Sequence, residues 1–110
     1  MNKIQEIRPV WVEIIPDELE EGVLYISEKY GTAIHLCACG CKGKTVIRIK
    51  SYWGDGWDIT KNQNKITVRP SIGNWSGQHP YHAHYYITDD QIEWLDNVNM
   101  PRESGGSQRY

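Results

Sequence analysis

The stretch from His35 to Lys44, HLCACGCKGK, holds every cysteine of the chain, with Cys37, Cys39 and Cys41 at alternate positions. Three thiols cannot all pair with one another, and partners one residue apart form strained disulfides at best, so the cluster argues for reduced thiols. Reduced thiols this close are metal ligands. Thiolates hold zinc tetrahedrally at about 2.3 Å, and a tight turn can aim two or three sulfurs at one ion. A closed structural site needs a fourth ligand. The one other segment rich in donors is HPYHAHYYI, which offers His82 first and His79 as the alternative. The competing reading leaves cysteines such as Cys37 and Cys41 in the core as small hydrophobes that bind nothing.

Around the knuckle the chain reads as short strands. TAIHLCAC (Thr32 to Cys39) is β-branched and apolar and runs straight into the glycine-containing turn, and TVIRIKS (Thr45 to Ser51) alternates as it leaves. VWVEIIP (Val10 to Pro16), GVLYIS (Gly22 to Ser27), WDIT (Trp57 to Thr60), KITVRPS (Lys65 to Ser71) and HYYI (His84 to Ile87) carry similar signals. DELEEG, NQN and TDD supply turns between them, and QIEWL reads as a last strand or short helix. The fold class is therefore mostly β, a single small antiparallel sheet or barrel-like domain with a Cys-rich zinc knuckle. Residues 1–98 read as one zinc-binding β domain and residues 99–110 as a flexible C-terminal tail.

At 110 residues there is room for one modest core, which is where a metal staple has most to contribute. The chain has no Phe but seven Tyr and five Trp, so its core must use aromatics whose polar tips need partners. A net charge of -2 with no basic run argues against nucleic acid as a partner. The sequence contains neither a long apolar span nor a secretory signal, which predicts a cytoplasmic protein that does not enter a membrane.

VRPSIGNW (Val68 to Trp75) is the second unusual stretch. Pro70 fixes the backbone before Ser71, Gly73 permits a bend, and a serine there can project its hydroxyl from the sheet. Such a nucleophile needs a base. HAHYY places His82 and His84 on one face of an extended segment, so one can bind metal while the other meets Ser71. Backbone amides near Ile72 and Gly73, or the side chain of Asn74, are the candidate oxyanion donors. The alternative is a turn in which Ser71 and Asn74 bond to local backbone. His35 shares the cysteines' face of a regular strand, and its candidate roles are ligand, donor to a ligand, catalytic base or ordinary core histidine. Asp89, Asp90 and Glu93 are carboxylates near His84 in sequence, with turn and surface placement as their expected role. The aromatics read as packing, and a cluster of them at the surface would mark a partner-binding patch.

Through IPDELEEGVLYISEKYGTAIHLCACGC, TVRPSIGNW, HYYI and IEWL, in that order between about Val10 and Leu95, the chain resembles DUF6527, a family of small bacterial and phage proteins. Those proteins occur beside ubiquitin-like proteins and E1-like and E2-like enzymes of conjugation operons. The resemblance implies a peptidase acting at the C-terminus of a ubiquitin-like protein or its conjugates through a serine. On matching positions it makes Ser71 and His84 the leading pair. The family's usual fourth cysteine falls on Tyr81, so His82 or His79 replaces it or the metal site is altered. Two other classes stay open: a non-enzymatic zinc-binding interaction module of such a system, and a zinc metallohydrolase with an open ligand position.

Overall fold

A computed structural model describes residues 3–74 and 83–95. Eight strands fall into two four-stranded sheets. The first holds β1 (Arg8–Trp11), β2 (Val23–Ser27), β3 (Thr32–Leu36) and β4 (Lys44–Arg48), side by side in that order. The second holds β5 (Asp58–Asn62), β6 (Lys65–Asn74), β7 (Ala83–Thr88) and β8 (Gln91–Trp94), again in chain order. A single helical turn, α1 (Lys50–Trp53), joins the two sheets.

Local chemistry explains most of these elements. In β4 Thr45 and Ile47 turn inward while Lys44, Val46 and Arg48 turn out, the period-2 pattern of a strand with one covered face. β2 is apolar up to its final Ser27 and buried at four of its five positions. Gln63 and Asn64 have φ of 52° and 72°, and Asp89 and Asp90 have φ of 47° and 66°. Each pair closes a two-residue hairpin in the mirror-image turn whose twist matches the strands it joins.

The mostly β class holds, with two sheets sharing one core. Ile26 and Ile47 of the first sheet and Val68, Ile72 and Ile87 of the second belong to a single cluster of buried side chains. Several strand bounds and one pairing differ from the reading of the sequence. β1 begins at Arg8 rather than Val10, stops at Trp11, and pairs parallel to β2. Beyond it the hydroxyl of Ser27 donates to the Glu13 carbonyl at 2.7 Å, while Ile14 is 68% exposed. The strand expected through Ser51 instead ends at Arg48. Gly54, in the left-handed region, donates its N–H to the Lys50 carbonyl, and Trp53 donates its indole N–H to the Gly31 carbonyl at 2.9 Å, which together fix the helical turn.

The N-terminal segment closes the far side. Ile7 donates to the Asp90 carbonyl and Ile92 to the Gln5 carbonyl, each at 2.8 Å, tying the chain start to the β7–β8 hairpin. Among the described residues no helix is long and apolar enough to cross a membrane.

Candidate active site

β6 and β7 pair antiparallel, with Ile72 opposite Tyr85, Gly73 opposite His84, and Val68 opposite Ile87. Between those anchors Arg69, Pro70 and Ser71 face the single residue Tyr86, so β6 bulges there. Proline cannot donate to a ladder and is at home in a bulge. The bulge sets Ser71 diagonally across from His84, and Gly73, directly opposite the histidine, offers no side chain to keep the imidazole away. As a result Ser71 Oγ lies 2.9 Å from His84 Nε2. Both residues are 1% exposed, so the pair sits out of bulk water. The Trp57 indole N–H donates to the Ser71 carbonyl at 3.2 Å and holds the bulge backbone from behind. Asn74 ends β6, opposite Ala83.

The thiols converge on a second centre. Their sulfurs all lie within 4.8 Å of one another, and Cys37 Sγ is 3.4 Å from Cys39 Sγ. The Cys37 N–H donates to the Gly43 carbonyl and the Gly40 N–H to the Cys37 carbonyl, closing the loop on itself. Gly40 adopts φ 92°, where a side chain would be strained. Cys37 is buried, Cys39 half-buried and Cys41 exposed. Burial, followed by a hydrogen bond with Cys41, pushes the Cys39 thiol up. Burial pushes the Cys41 thiol the same way, but hydrogen bonds from the Gly43 amide and the neighbouring thiols outweigh it, and the net shift is downward. A tetrahedral zinc with sulfur at about 2.3 Å needs sulfurs about 3.8 Å apart, which these three can reach with small side-chain movements. The cluster can therefore hold a metal ion. His79 and His82, the expected fourth ligands, lie outside the described residues, as does Tyr81.

His35 bonds to Tyr85. It is wholly buried, and its Nε2 shares a 2.7 Å hydrogen bond with the Tyr85 hydroxyl rather than with Ser71. Its Nδ1 has no hydrogen-bond partner among the described residues. Burial pushes its pKa down to about 4 from 6.5, so the folded protein keeps the ring neutral where the unfolded chain would protonate it. Stability is then complete above pH 6.5 and falls by about 1.4 kcal/mol per pH unit between 6.5 and 4, a loss of about 3 kcal/mol. Urea unfolding followed across that window in the wild type and in His35→Gln should show the loss in the wild type and a shallower one in the variant.

The nearby carboxylates serve the hairpin. Asp90 Oδ1 accepts the Ile66 N–H at 2.7 Å, and the Asp89 N–H donates to Thr67 Oγ1 at 3.0 Å. Glu93 accepts from Thr88 Oγ1 and lies 3.9 Å from Arg69 Nη2. Reading the sequence missed Tyr85, one of many aromatics, whose hydroxyl meets residues 47 and 50 positions earlier. It also missed the Trp57 indole. No local spacing signals either contact.

A buried hydroxyl against an imidazole on a rigid β scaffold is the nucleophile-and-base arrangement of serine-type hydrolases. A family model described as bacterial ubiquitination-like system serine protease (BubE) matches residues 11–95, and the chain belongs to that family. This is the ubiquitin-like context implied by the sequence motifs, under a different family name. No curated protein and no solved structure matches the chain.

Proposed function

We propose that this chain is a serine peptidase that cleaves after a ubiquitin-like protein, with Ser71 as nucleophile and His84 as base. The observation that carries the reading is the 2.9 Å contact between Ser71 Oγ and His84 Nε2 in a site removed from water. Ser71 Oγ attacks the carbonyl carbon of the scissile peptide or isopeptide bond while its proton passes to His84 Nε2. The charge that develops on the carbonyl oxygen is met by amides near Ile72 and Gly73 or by the Asn74 side chain. His84 then gives its proton to the departing amine as the C–N bond breaks. Water, deprotonated by His84, releases the acyl group from Ser71.

In this reading Cys37, Cys39 and Cys41 hold zinc, with His82, or alternatively His79, as the fourth ligand. Bound there, the ion cross-links the loop between β3 and β4. A filled set of three thiolates and one imidazole leaves no position for water, so the metal is a staple. A metallohydrolase, by contrast, would lose activity to a chelator while keeping its fold. The test is cleavage of a ubiquitin-like protein fused through its C-terminus to a reporter, including forms from conjugation operons that also encode E1-like and E2-like enzymes. Cleavage at the fusion junction, lost in Ser71→Ala, supports the peptidase; no cleavage of any fusion sinks it.

A second reading, partner binding without catalysis, is favoured by the surface. Trp11, Tyr52 and Trp53 are 42%, 54% and 48% exposed. Trp11 and Tyr52 line a cleft of about 170 Å³ with Ile26, Ile49, Ile59, Glu28 and Ser51. Exposed aromatics beside apolar and polar side chains are the composition of binding hot spots. Both functions can share one chain, in which case Tyr52→Ala should raise KM for the fusion about tenfold or more with kcat within twofold. Steady-state kinetics on the fusion substrate would show this, and an unchanged KM would remove the cleft from substrate binding.

A further inference from the structure

Tyr85 stands between the two centres. In the chain it follows His84, and across the sheet it faces Ile72, the residue after Ser71. Alternation along β7 sends its side chain to the face opposite that of His84, toward the thiol loop. There its hydroxyl shares the 2.7 Å hydrogen bond with His35 Nε2, and the Ala38 N–H donates to it at 3.4 Å. Ala38 lies between Cys37 and Cys39, so one short peptide both carries two thiols and donates to Tyr85. The Tyr85 ring is held edge-on by Trp94 at 5.2 Å and by His35 at 6.0 Å. Tyr85, His35 and Ala38 are all 0% exposed, so water cannot stand in for a lost hydrogen bond.

We infer that Tyr85 is a positioning residue that couples the thiol loop to the Ser71–His84 pair, so that the state of a metal on Cys37, Cys39 and Cys41 is felt at His84. The coupling is independent of the reaction, although its value to catalysis rests on the serine peptidase reading above. A change in the loop's dimensions moves Ala38 and His35. Their hydrogen bonds pull on Tyr85, and β7 carries the movement one residue to His84. The bulge at Arg69 to Ser71 lacks one-to-one pairing with β7, which leaves the serine side of the pair free to respond differently. By linkage the effect is reciprocal: events at Ser71 change how tightly the loop holds its ion.

The test uses the full chain loaded with Zn²⁺ or with the larger Cd²⁺, both of which thiolates accept. Long-range proton–nitrogen spectra report the His84 ring nitrogens, and a fluorophosphonate, from which Ser71 Oγ displaces fluoride, reports the nucleophile. In the wild type the His84 signals should differ between the two metals and labelling rates should differ by about threefold or more. In Tyr85→Phe, which keeps the ring and loses only the hydroxyl, both differences should collapse. Should that variant fail to fold, His35→Leu removes the other side of the same hydrogen bond and should give the same collapse. Identical His84 signals for both metals in the wild type, or a difference that survives loss of the hydroxyl bond, overturns the assignment. If Ser71 is never labelled but the His84 signals respond and Tyr85→Phe silences them, the coupling stands and the peptidase reading falls.

Discussion

Replacing Ser71 with alanine is expected to lower kcat on a cleavable fusion by about a thousandfold or more, while the folded protein loses only about 1–3 kcal/mol of stability. The two magnitudes come from different physics. Loss of a nucleophile removes the covalent route entirely, and what remains is the contribution of binding and oxyanion stabilisation. Loss of the hydroxyl from the fold removes one hydrogen bond, that to His84 at 2.9 Å, and because the pair is buried the cost is about 1–3 kcal/mol. The backbone of the bulge keeps its own support, because Trp57 donates to the Ser71 carbonyl and not to the side chain. Matched thermal unfolding and steady-state kinetics on the two proteins separate the effects. Equal rates for the wild type and Ser71→Ala would remove Ser71 from the chemistry and leave the thiol centre as the remaining candidate.

How much of this was legible in the sequence depends on the distance over which each feature is encoded. The thiol centre is local: three ligands in five residues, a positive-φ glycine among them, and strands on either side. The hairpin turns at Gln63–Asn64 and Asp89–Asp90 are equally local. The Ser71–His84 pair was half legible. A turn-like context marked Ser71, an extended segment put His84 among the candidate bases, and the resemblance paired them, but their contact depends on a cross-strand register, a bulge of three residues against one, and an empty position at Gly73. None of these can be counted along the chain. Partner choice among strands was hidden as well, since alternation says that a segment is a strand without saying which neighbour it takes. Hence two sheets, and a parallel β1, emerged from a pattern that reads as one antiparallel sheet. Tyr85 was least legible, because nothing near it in sequence distinguishes a tyrosine that packs from one that joins His35 and Ala38 across the core.

Stripping the proposed ion, or replacing Cys39 with serine, should destabilise the domain rather than merely silence it. A structural zinc bound by thiolates contributes about 10–16 kcal/mol of apparent binding free energy in small metal-folded peptides, against a total stability of about 5–15 kcal/mol for a domain. This domain has a core of its own, joining both sheets, so part of the fold would outlast the metal. The loop is the vulnerable part. Without an ion the raised Cys39 thiol stays protonated at neutral pH, and Cys41 remains at the surface. The loop then keeps its backbone hydrogen bonds, the Ala38 contact with Tyr85 and the packing of Cys37 and Ala38 into the core. Cys39→Ser should accordingly lower the midpoint of thermal unfolding by about 10 °C or more, and a chelator should lower that of the wild type to a similar value while leaving Cys39→Ser nearly unchanged. Acid should weaken the site further, because a thiol must give up its proton before it can bind. The comparison also decides what the metal does. If fold and cleavage are lost together over the same chelator range, the ion is a staple beneath a serine enzyme. If cleavage is lost while the midpoint stays fixed, the open-site metallohydrolase takes its place, and the Ser71–His84 contact becomes a structural hydrogen bond in a bulge.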